Sequence, residues 1–269
     1  MKIYDIDYSV LSDADRKLWE EIQEQEIVYR DGKPSILRYT LRHKYPRAAR
    51  HFETLFPNNY IDNVDLLNSR EEYKNLLGSF EELIADKKIT ERNILNFIKE
   101  KRAHFIIAGI LKNFTFGHHA LYLFPEFKLP PNHQVDFLLI GENSEGHHFV
   151  FVELENPYGE ITIQDGSFGN AIRKGIRQID DWEIWLEKNF SSLRPIFVMY
   201  KNKERDLPSE FIDFDTSRIY YVIVGGKREN YNDKTYRLRR NTAQQRQLNI
   251  LHYDNLVEFA NQLLATSDK

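Results

Sequence analysis

Two short apolar runs that carry carboxylates constrain this chain more than any other feature. In the first run, residues 135–140, Asp136 follows the opening valine; the second, residues 149–154, contains Glu153 and is followed directly by Glu155. An ionised carboxylate that is buried without a partner is costly, so it is normally neutralised, paired or bound to a cation. The two runs therefore predict strands whose carboxylates need a partner.

The pattern around these runs predicts an α/β fold. The polar segment 141–146 indicates a turn that joins the two strands into a hairpin. Other apolar or β-branched runs predict strands at about 121–128, 196–200, 218–224, 235–240 and 247–251. Apolar residues at helical spacing predict helices at about 13–26, 71–85, 167–189 and 254–264, with one more starting after Thr90 as its N-cap. Antiparallel strands, a crossover helix and then buried strands predict an α/β sandwich with a central mixed β-sheet flanked by helices.

Domain organisation is predicted from a polar stretch at residues 57–70. The chain has 269 residues, which suits one large domain or a core domain with a smaller one. Before the polar stretch, short strand-like pieces at 27–29 and 36–41 follow the first helix and give a mixed character. We therefore expect a small mixed α/β region at 1–70 and a main domain at 71–269.

Composition predicts a soluble cytoplasmic protein. Hydrophobic residues make up 41% and aromatic residues 13% of the chain, enough for a packed core. No apolar run approaches the ~20 residues of a membrane-spanning helix, so no membrane partner is expected. There are no cysteines, and the net charge of −4 argues against indiscriminate DNA binding.

The carboxylates have the residue types and spacing of a metal site. Side chains alternate along a strand, so Glu153 and Glu155 share a face, and Asp136 joins them if the register of the hairpin allows. Mg²⁺ prefers such oxygen ligands. On the following helix, Lys174 and Gln178 lie one turn apart on one face and can look down on the same place. This set suits metal-assisted phosphodiester hydrolysis.

Simpler interpretations exist for single residues. Asp136 alone is as consistent with a structural role at a strand end as with metal binding, and Gln178 with satisfying backbone groups. Glu126 on the preceding strand is expected to be a surface residue paired with Lys128. The histidines lie in polar stretches and lack a zinc-binding spacing, so we expect exposed loop positions for His118, His119, His147 and His148.

Two basic groups are candidates for nucleic-acid contacts. Arg173 and Arg177 are one turn apart on the long helix and are positioned to hold a phosphate backbone. A second group near Tyr231 and Tyr236 consists of Arg237, Arg239, Arg240 and Arg246. Those arginines suit phosphate neutralisation and equally suit an exposed edge strand on which charge discourages aggregation.

The order of these motifs resembles the Shedu anti-phage defence proteins within the PD-(D/E)XK nuclease superfamily. The resemblance rests on Val-Asp-Phe at 135, Val-Glu-Leu-Glu-Asn-Pro at 152, Arg-Gln-Ile-Asp-Asp-Trp at 177, Val-Ile-Val-Gly-Gly-Lys-Arg at 222 and the segment 250–256. It covers roughly residues 90–264. It implies a restriction-endonuclease-like fold, with Asp136 and Glu153 as ligands of Mg²⁺ or Mn²⁺ and Gln178 as an active-site residue. It also implies a homo-oligomer, dimer or tetramer, that cleaves double-stranded phage DNA.

This sequence departs from the superfamily pattern at Glu155, where lysine is usual. Lysine supplies a positive charge near the attacking water, whereas glutamate supplies a negative charge and a further metal ligand. Lys174 or Lys128 is a candidate for the missing cation, and the catalytic set becomes Asp136, Glu153, Glu155, Gln178 and Lys174. The alternative is a catalytically silent nuclease-fold module that binds nucleic acid or assembles with partners, and a plain scaffold ranks third. Residues 1–70 are expected to regulate, recognise or oligomerise.

Overall fold

A computed structural model of the chain describes residues 3–25, 27–30, 33–36, 46–164 and 166–266. Within them the strands are β1 (Ile27–Arg30), β2 (Lys33–Ile36), β3 (Ala120–Leu129), β4 (His133–Asn143), β5 (Gly146–Leu154), β6 (Ile219–Val224) and β7 (Leu248–Leu251). The helices are α1 (Asp13–Gln25), α2 (Pro46–Glu53), α3 (Asn63–Asn68), α4 (Arg70–Ala85), α5 (Glu91–Glu100), α6 (His104–Ala108), α7 (Asn170–Asn189), α8 (Arg194–Tyr200), α9 (Asp233–Arg246) and α10 (Tyr253–Thr266). Among these described residues, no helix has both the length and the apolar character needed to span a bilayer.

A five-stranded mixed sheet with the order β3-β4-β5-β6-β7 forms the centre of the molecule. The first three strands are antiparallel neighbours, whereas β5, β6 and β7 run parallel. The predicted hairpin is confirmed: Asn143 pairs with Gly146, so the turn is tight, and Gly146 has the positive φ of +106° that such a turn favours. This α/β architecture confirms the predicted fold class and is consistent with a restriction-endonuclease-like sandwich.

Each face of the sheet is covered by its own hydrophobic core. Because side chains alternate along a strand, Val150, Val152 and Leu154 of β5 pack in one core with residues of α4, α5, α6 and α10. Phe149 and Phe151 point the other way and pack in a second core with α7 and α8. Glu153 continues this second series, so its side chain lies on the face that α7 covers.

The helix α7 confirms the predicted long helix, although it begins at Asn170 rather than at residue 167. Its period predicts burial of five apolar residues: Ile172, Ile179, Trp182 and Leu186 are buried, and Ile176 is half-buried. The predicted helix 71–85 is confirmed as α4, and Thr90 is confirmed as the N-cap of α5, where it forms a capping box with Asn93. These segments share a clear helical period.

Two predicted strands are wrong. Residues 196–200 lie in α8, where Pro195 occupies the first turn and Phe197 is buried but Met199 is 72% exposed. A strand covered on both faces would have buried Met199. The run instead forms one apolar side of a short helix, and its proline is in the first turn, where a helix tolerates it. Residues 235–240 lie in α9, which begins with a capping box between Asn232 and Thr235. The local cap, rather than an apolar period, determines this helix.

The first seventy residues are described in part. The first helix is confirmed as α1 and the strand at 27–29 as β1, whereas the predicted strand at 36–41 lies outside the described residues except for Ile36, the end of β2. Ile3 packs in the same core as Ile61 and Leu66, and the hydroxyl of Tyr4 donates a hydrogen bond to the carbonyl of Tyr60 at 2.6 Å. The division at residue 70 stays a prediction.

Candidate active site

The hairpin of β4 and β5 brings Asp136 next to Glu153. Phe137 pairs with Val152, and continuing that antiparallel register by one residue sets Asp136 opposite Glu153. The backbone N–H of Leu154 donates a hydrogen bond to Oδ2 of Asp136 at 2.8 Å. Two carboxylates that are 17 residues apart in sequence are therefore neighbours at one end of the sheet.

Burial sets the ionisation of these carboxylates. Glu153 is 4% exposed and Glu155 is 3% exposed. Burial is the main cause that raises the pKa of Glu153, and the negative charges of Asp136 and Glu155 raise it further. Burial also raises the pKa of Asp136, although the Leu154 N–H opposes this effect. The cluster thus favours bound protons or another source of positive charge.

Two side chains of α7 reach this cluster. Gln178 donates a hydrogen bond from Nε2 to Oε1 of Glu153 at 2.6 Å, and Lys174 donates from Nζ to Oε2 of Glu155 at 3.0 Å. Between them lies Gly175, where an added Cβ would stand 3.1 Å from the side chain of Ile223. The absence of a side chain at Gly175 lets α7 approach β6 closely enough for both contacts.

Glu91, the first residue of α5, is a member of the cluster that the sequence did not reveal. Its Oε2 lies 3.7 Å from Nζ of Lys174, and its charge adds to the effects that raise the pKa of Asp136 and Glu153. In the sequence, a glutamate directly after an N-cap is sufficiently explained by the helix dipole. Only its ion pair with Lys174 of α7 shows the second role.

The donor set suits a hard divalent cation. Its members are carboxylates, which Mg²⁺ and Mn²⁺ prefer, and the buried Oε1 of Glu155 has no hydrogen-bond partner. In the described part of the chain, no three His, Cys, Asp or Glu side chains already surround one point at metal-binding spacing. Leu154 N–H, Gln178 and Lys174 each hold one carboxylate in this arrangement. The residues fit the ion chemically, and a bound ion would compete with these three donors.

The predicted partner of Glu126 is wrong. Its carboxylate pairs with Nζ of Lys99 at 3.1 Å rather than with Lys128. Continuing the β3–β4 register from the pair Pro125 and Phe137 would set Glu126 opposite Asp136, but Glu126 has φ of +51° and interrupts the ladder there. A left-handed residue within a strand turns the Glu126 side chain away from its expected direction.

The histidine predictions are confirmed for one pair and wrong for the other. His118 and His119 are exposed, whereas His147 and His148 are buried because β5 begins already at Gly146. Nδ1 of His147 lies 3.0 Å from Oε1 of Glu210. The ring of His148 stacks on Phe116 with centroids 4.4 Å apart.

The predicted basic residues lie on two helices. Arg173 and Arg177 are exposed on α7, beside Lys174. In α9, Arg237 and Arg240 are exposed and Arg239 is half-buried, so the edge-strand interpretation of this group is wrong because the segment is helical. Arg246 has a structural partner, since its guanidinium binds Asp180 and Glu183 of α7.

Fold and cluster together define a class: an α/β sandwich with buried carboxylates at one end of a mixed sheet, covered by a helix that supplies an amide and an ammonium group. The family model described as Shedu protein SduA, C-terminal, matches residues 88–257. The match covers more than half of the chain and includes the whole cluster from Glu91 to Gln178. This chain belongs to the Shedu family. No curated protein matches it.

Proposed function

We propose that this protein is a metal-dependent DNA endonuclease of the PD-(D/E)XK type that acts in the bacterial cytoplasm in defence against phage. The observation that carries the proposal is the cluster of Asp136, Glu153 and Glu155 at one end of the sheet, where Gln178 binds Glu153 and Lys174 binds Glu155. Membership of the Shedu family supports the role in defence.

Asp136 and Glu153 would hold Mg²⁺ or Mn²⁺ with Glu155. When bound, such an ion polarises the scissile phosphate and makes a bound water more acidic. Burial acts to lower the pKa of Lys174, but the hydrogen bond and charge of Glu155 outweigh it and raise that pKa. Lys174 therefore stays protonated at neutral pH and presents a positive charge to the phosphate. Gln178 orients the Glu153 carboxylate through its hydrogen bond.

The glutamate at position 155 is compatible with this chemistry because the cation comes from a different element. Lys174 of α7 stands 3.0 Å from Glu155, and so supplies a charge near the place where the superfamily pattern has a strand lysine. Oε1 of Glu155 lacks a hydrogen-bond partner and is available to bind the metal or to accept the proton of the attacking water.

The test is cleavage of supercoiled and linear plasmid DNA with Mg²⁺, with Mn²⁺ and with EDTA. We expect wild-type protein to cut only with a metal ion, and Glu153→Ala to lose at least about 100-fold of the rate, since even outer partners of metal ligands are worth 10–100-fold. Glu187→Ala removes an exposed carboxylate of the same helix as Lys174 and should cut normally. Cutting in EDTA, or undiminished cutting by Glu153→Ala, would contradict the proposal.

A second candidate is a nuclease-fold module that binds nucleic acid without cutting it. Glu155 favours this candidate, since it adds negative charge where a strand lysine is usual. Such a module would show no cutting by wild type and full DNA affinity in Asp136→Ala. Cutting gained in Glu155→Lys would identify a silenced nuclease.

We also propose a homo-oligomer, dimer or tetramer, in which residues 1–70 regulate, recognise DNA or assemble the subunits. Arg173, Arg177, Arg237, Arg239 and Arg240 would contact double-stranded phage DNA. Light scattering on the full chain measures the mass: two or four times the chain mass supports the oligomer, and a single chain mass contradicts it.

A further inference from the structure

A cleft beside α5 reaches Asp136, and no α7 residue lines it. It lies between α5 and the neighbouring parts of β3 and β4, and has a volume of about 430 Å³. Its lining includes the buried ring of Phe137 and the polar residues Asn96, Lys99, Arg102, Glu126, Gln134 and Asp136. Apart from the carboxylates of Glu126 and Asp136, these polar side chains all carry hydrogen-bond donors, and two are cations.

The two cations are held by weak partners. Lys99 binds Glu126, and the two side chains are 70% and 56% exposed. Arg102 binds Asp5, and these side chains are 44% and 83% exposed. Ion pairs this open to water contribute little to stability, because solvent screens them and two long side chains must be ordered. An anionic ligand can therefore replace Glu126 and Asp5 at small cost.

We propose that this cleft binds the phosphodiester backbone of the DNA strand that carries the scissile bond, through Lys99 and Arg102. The inference rests on the proposed function, since Asp136 marks the end of the cleft at which the bond would be cut. Phosphate contacts supply most of the salt-dependent affinity for DNA and fix the position of the strand. Asn96 and Gln134 add neutral donors, and Phe137 offers an apolar surface beside the strand.

This arrangement makes the N-terminal segment a competitor of DNA. In the protein alone, Asp5 forms an ion pair with Arg102, and Glu126 forms one with Lys99. A bound strand would exchange both carboxylates for phosphate. Removing either carboxylate should therefore strengthen DNA binding, which a loss of folding cannot do.

The experiment measures binding of a short fluorescein-labelled DNA duplex by anisotropy over a series of salt concentrations. The protein carries Glu153→Gln so that the DNA stays intact. In Lys99→Ala/Arg102→Ala we expect at least a tenfold weaker affinity at low salt. The slope of log K against log salt concentration should fall by about 2, since each lost phosphate contact removes about 0.9. Glu126→Gln should bind a few-fold more tightly.

The matched control is Lys74→Ala/Lys101→Ala. Lys74 has an exposed partner, Glu71, just as Lys99 has Glu126, and Lys101 is the exposed neighbour of Arg102; neither lines the cleft. The control should keep the affinity and the slope within error. An equal loss in the control, or an unchanged slope in the cleft variant, would overturn the proposal, as would a wild-type protein that binds no DNA.

Failure of the cleft and failure of the nuclease give different results. Metal-dependent cutting by wild type, together with normal affinity and slope in Lys99→Ala/Arg102→Ala, rejects the cleft and retains the nuclease. Wild-type protein that binds but never cuts, together with lost binding in that variant, retains the cleft as a DNA site and rejects the nuclease.

Discussion

Arg50 of α2 and Glu153 of β5 are charged side chains buried to almost the same degree, 3% and 4% exposed, yet their surroundings differ. The guanidinium of Arg50 binds Asp62 at 3.0 Å and also binds Asp65. Two aromatic rings lie against it, those of Tyr4 and Tyr8. Burial acts to lower the pKa of Arg50, but its charged neighbours outweigh burial and raise it.

Glu153 has the opposite balance. A neutral amide, that of Gln178, binds it, and the charged neighbours that shift its pKa most are the like charges of Asp136 and Glu155. A buried charge next to opposite charges stabilises the fold, whereas one next to like charges favours the binding of a cation or a proton. The difference separates the region that maintains the fold from the region that we propose for chemistry.

The largest effect is expected from Arg50→Ala, which removes the buried guanidinium that binds Asp62 and Asp65. The substitution leaves Asp62 and Asp65 without their buried partner, and we expect the free energy of unfolding to fall by about 3–5 kcal/mol. Urea denaturation measures it. Arg16→Ala is the control, because Arg16 and its partner Glu204 are 49% and 40% exposed, and it should cost at most about 1 kcal/mol. Similar losses of unfolding free energy in Arg50→Ala and Arg16→Ala would contradict the expected difference between a buried and an exposed arginine.

The contribution of Glu153 to the free energy of unfolding should depend on pH. The pKa of Glu153 is raised from 4.5 in the folded protein, so the folded protein binds more protons than the unfolded chain above about pH 4.5. The free energy of unfolding of the metal-free protein should therefore fall as pH rises through neutrality. Glu153→Gln removes this term and should be more stable by about 1–3 kcal/mol at high pH, with little difference near pH 4.5.

Urea denaturation at several pH values tests the sign. Glu187→Gln, on the exposed side of α7, should follow the wild-type profile. A stability difference between wild type and Glu153→Gln that shrinks with rising pH would show that Glu153 is ionised and well compensated in the folded protein.

Mg²⁺ bound at the carboxylate cluster around Glu153 should stabilise the folded protein. At about ten times its dissociation constant, an ion that binds the folded protein alone adds about 1.4 kcal/mol, which raises the melting temperature by roughly 3–5 °C. Thermal unfolding with MgCl₂, compared with NaCl at equal ionic strength, measures the shift. Glu153→Gln should lose the shift and Arg16→Ala should keep it. An equal shift in Glu153→Gln would assign Mg²⁺ binding to another part of the protein.

The smallest effect on stability is expected from Gly175→Ala. Alanine favours the helix by about 0.5–1 kcal/mol, and the close approach to Ile223 offsets this gain, so we expect a change below about 1 kcal/mol. The shift of α7 should move Gln178 and Lys174, however, and lower the cleavage rate roughly threefold to tenfold.

Gly78 of α4 provides the control for this substitution. A Cβ added there would meet no atom within 4 Å, so Gly78→Ala should stabilise by about 0.5–1 kcal/mol and leave cleavage unchanged. Equal cleavage rates in Gly78→Ala and Gly175→Ala would contradict a positioning role for Gly175.

The sequence predicts the region around the cluster well because its signals are local. Alternation along β4 and β5, the tight turn between them and the helical period of α7 all come from neighbouring residues. The predicted contacts of Lys174 and Gln178 need one further step, that the crossover helix covers the sheet, and this follows from general packing of α/β proteins.

The remaining features depend on distant parts of the chain. A short apolar run such as residues 196–200 has no period that separates strand from helix, and only the tertiary packing, which buries Phe197 and leaves Met199 exposed, distinguishes them. Asn232 and Thr235 are an exception, since their capping box is a local helix signal at the start of α9. Glu91 joins the cluster only because the tertiary packing of α5 brings it to Lys174 of α7, a placement that no local pattern contains.

The pair between Lys174 and Glu155 has a consequence for how such sequences can diverge. A chain that exchanged Glu155 for lysine alone would set two ammonium groups against each other at the distance now occupied by an ion pair. A second change on the helix therefore favours a return to the usual strand lysine. We expect the two positions to covary among relatives, with a strand lysine accompanied by an uncharged or acidic residue at the position of Lys174. In relatives that carry both lysines, we expect a glutamate at the position of Glu91, which lies 3.7 Å from Lys174 in this chain, to separate them.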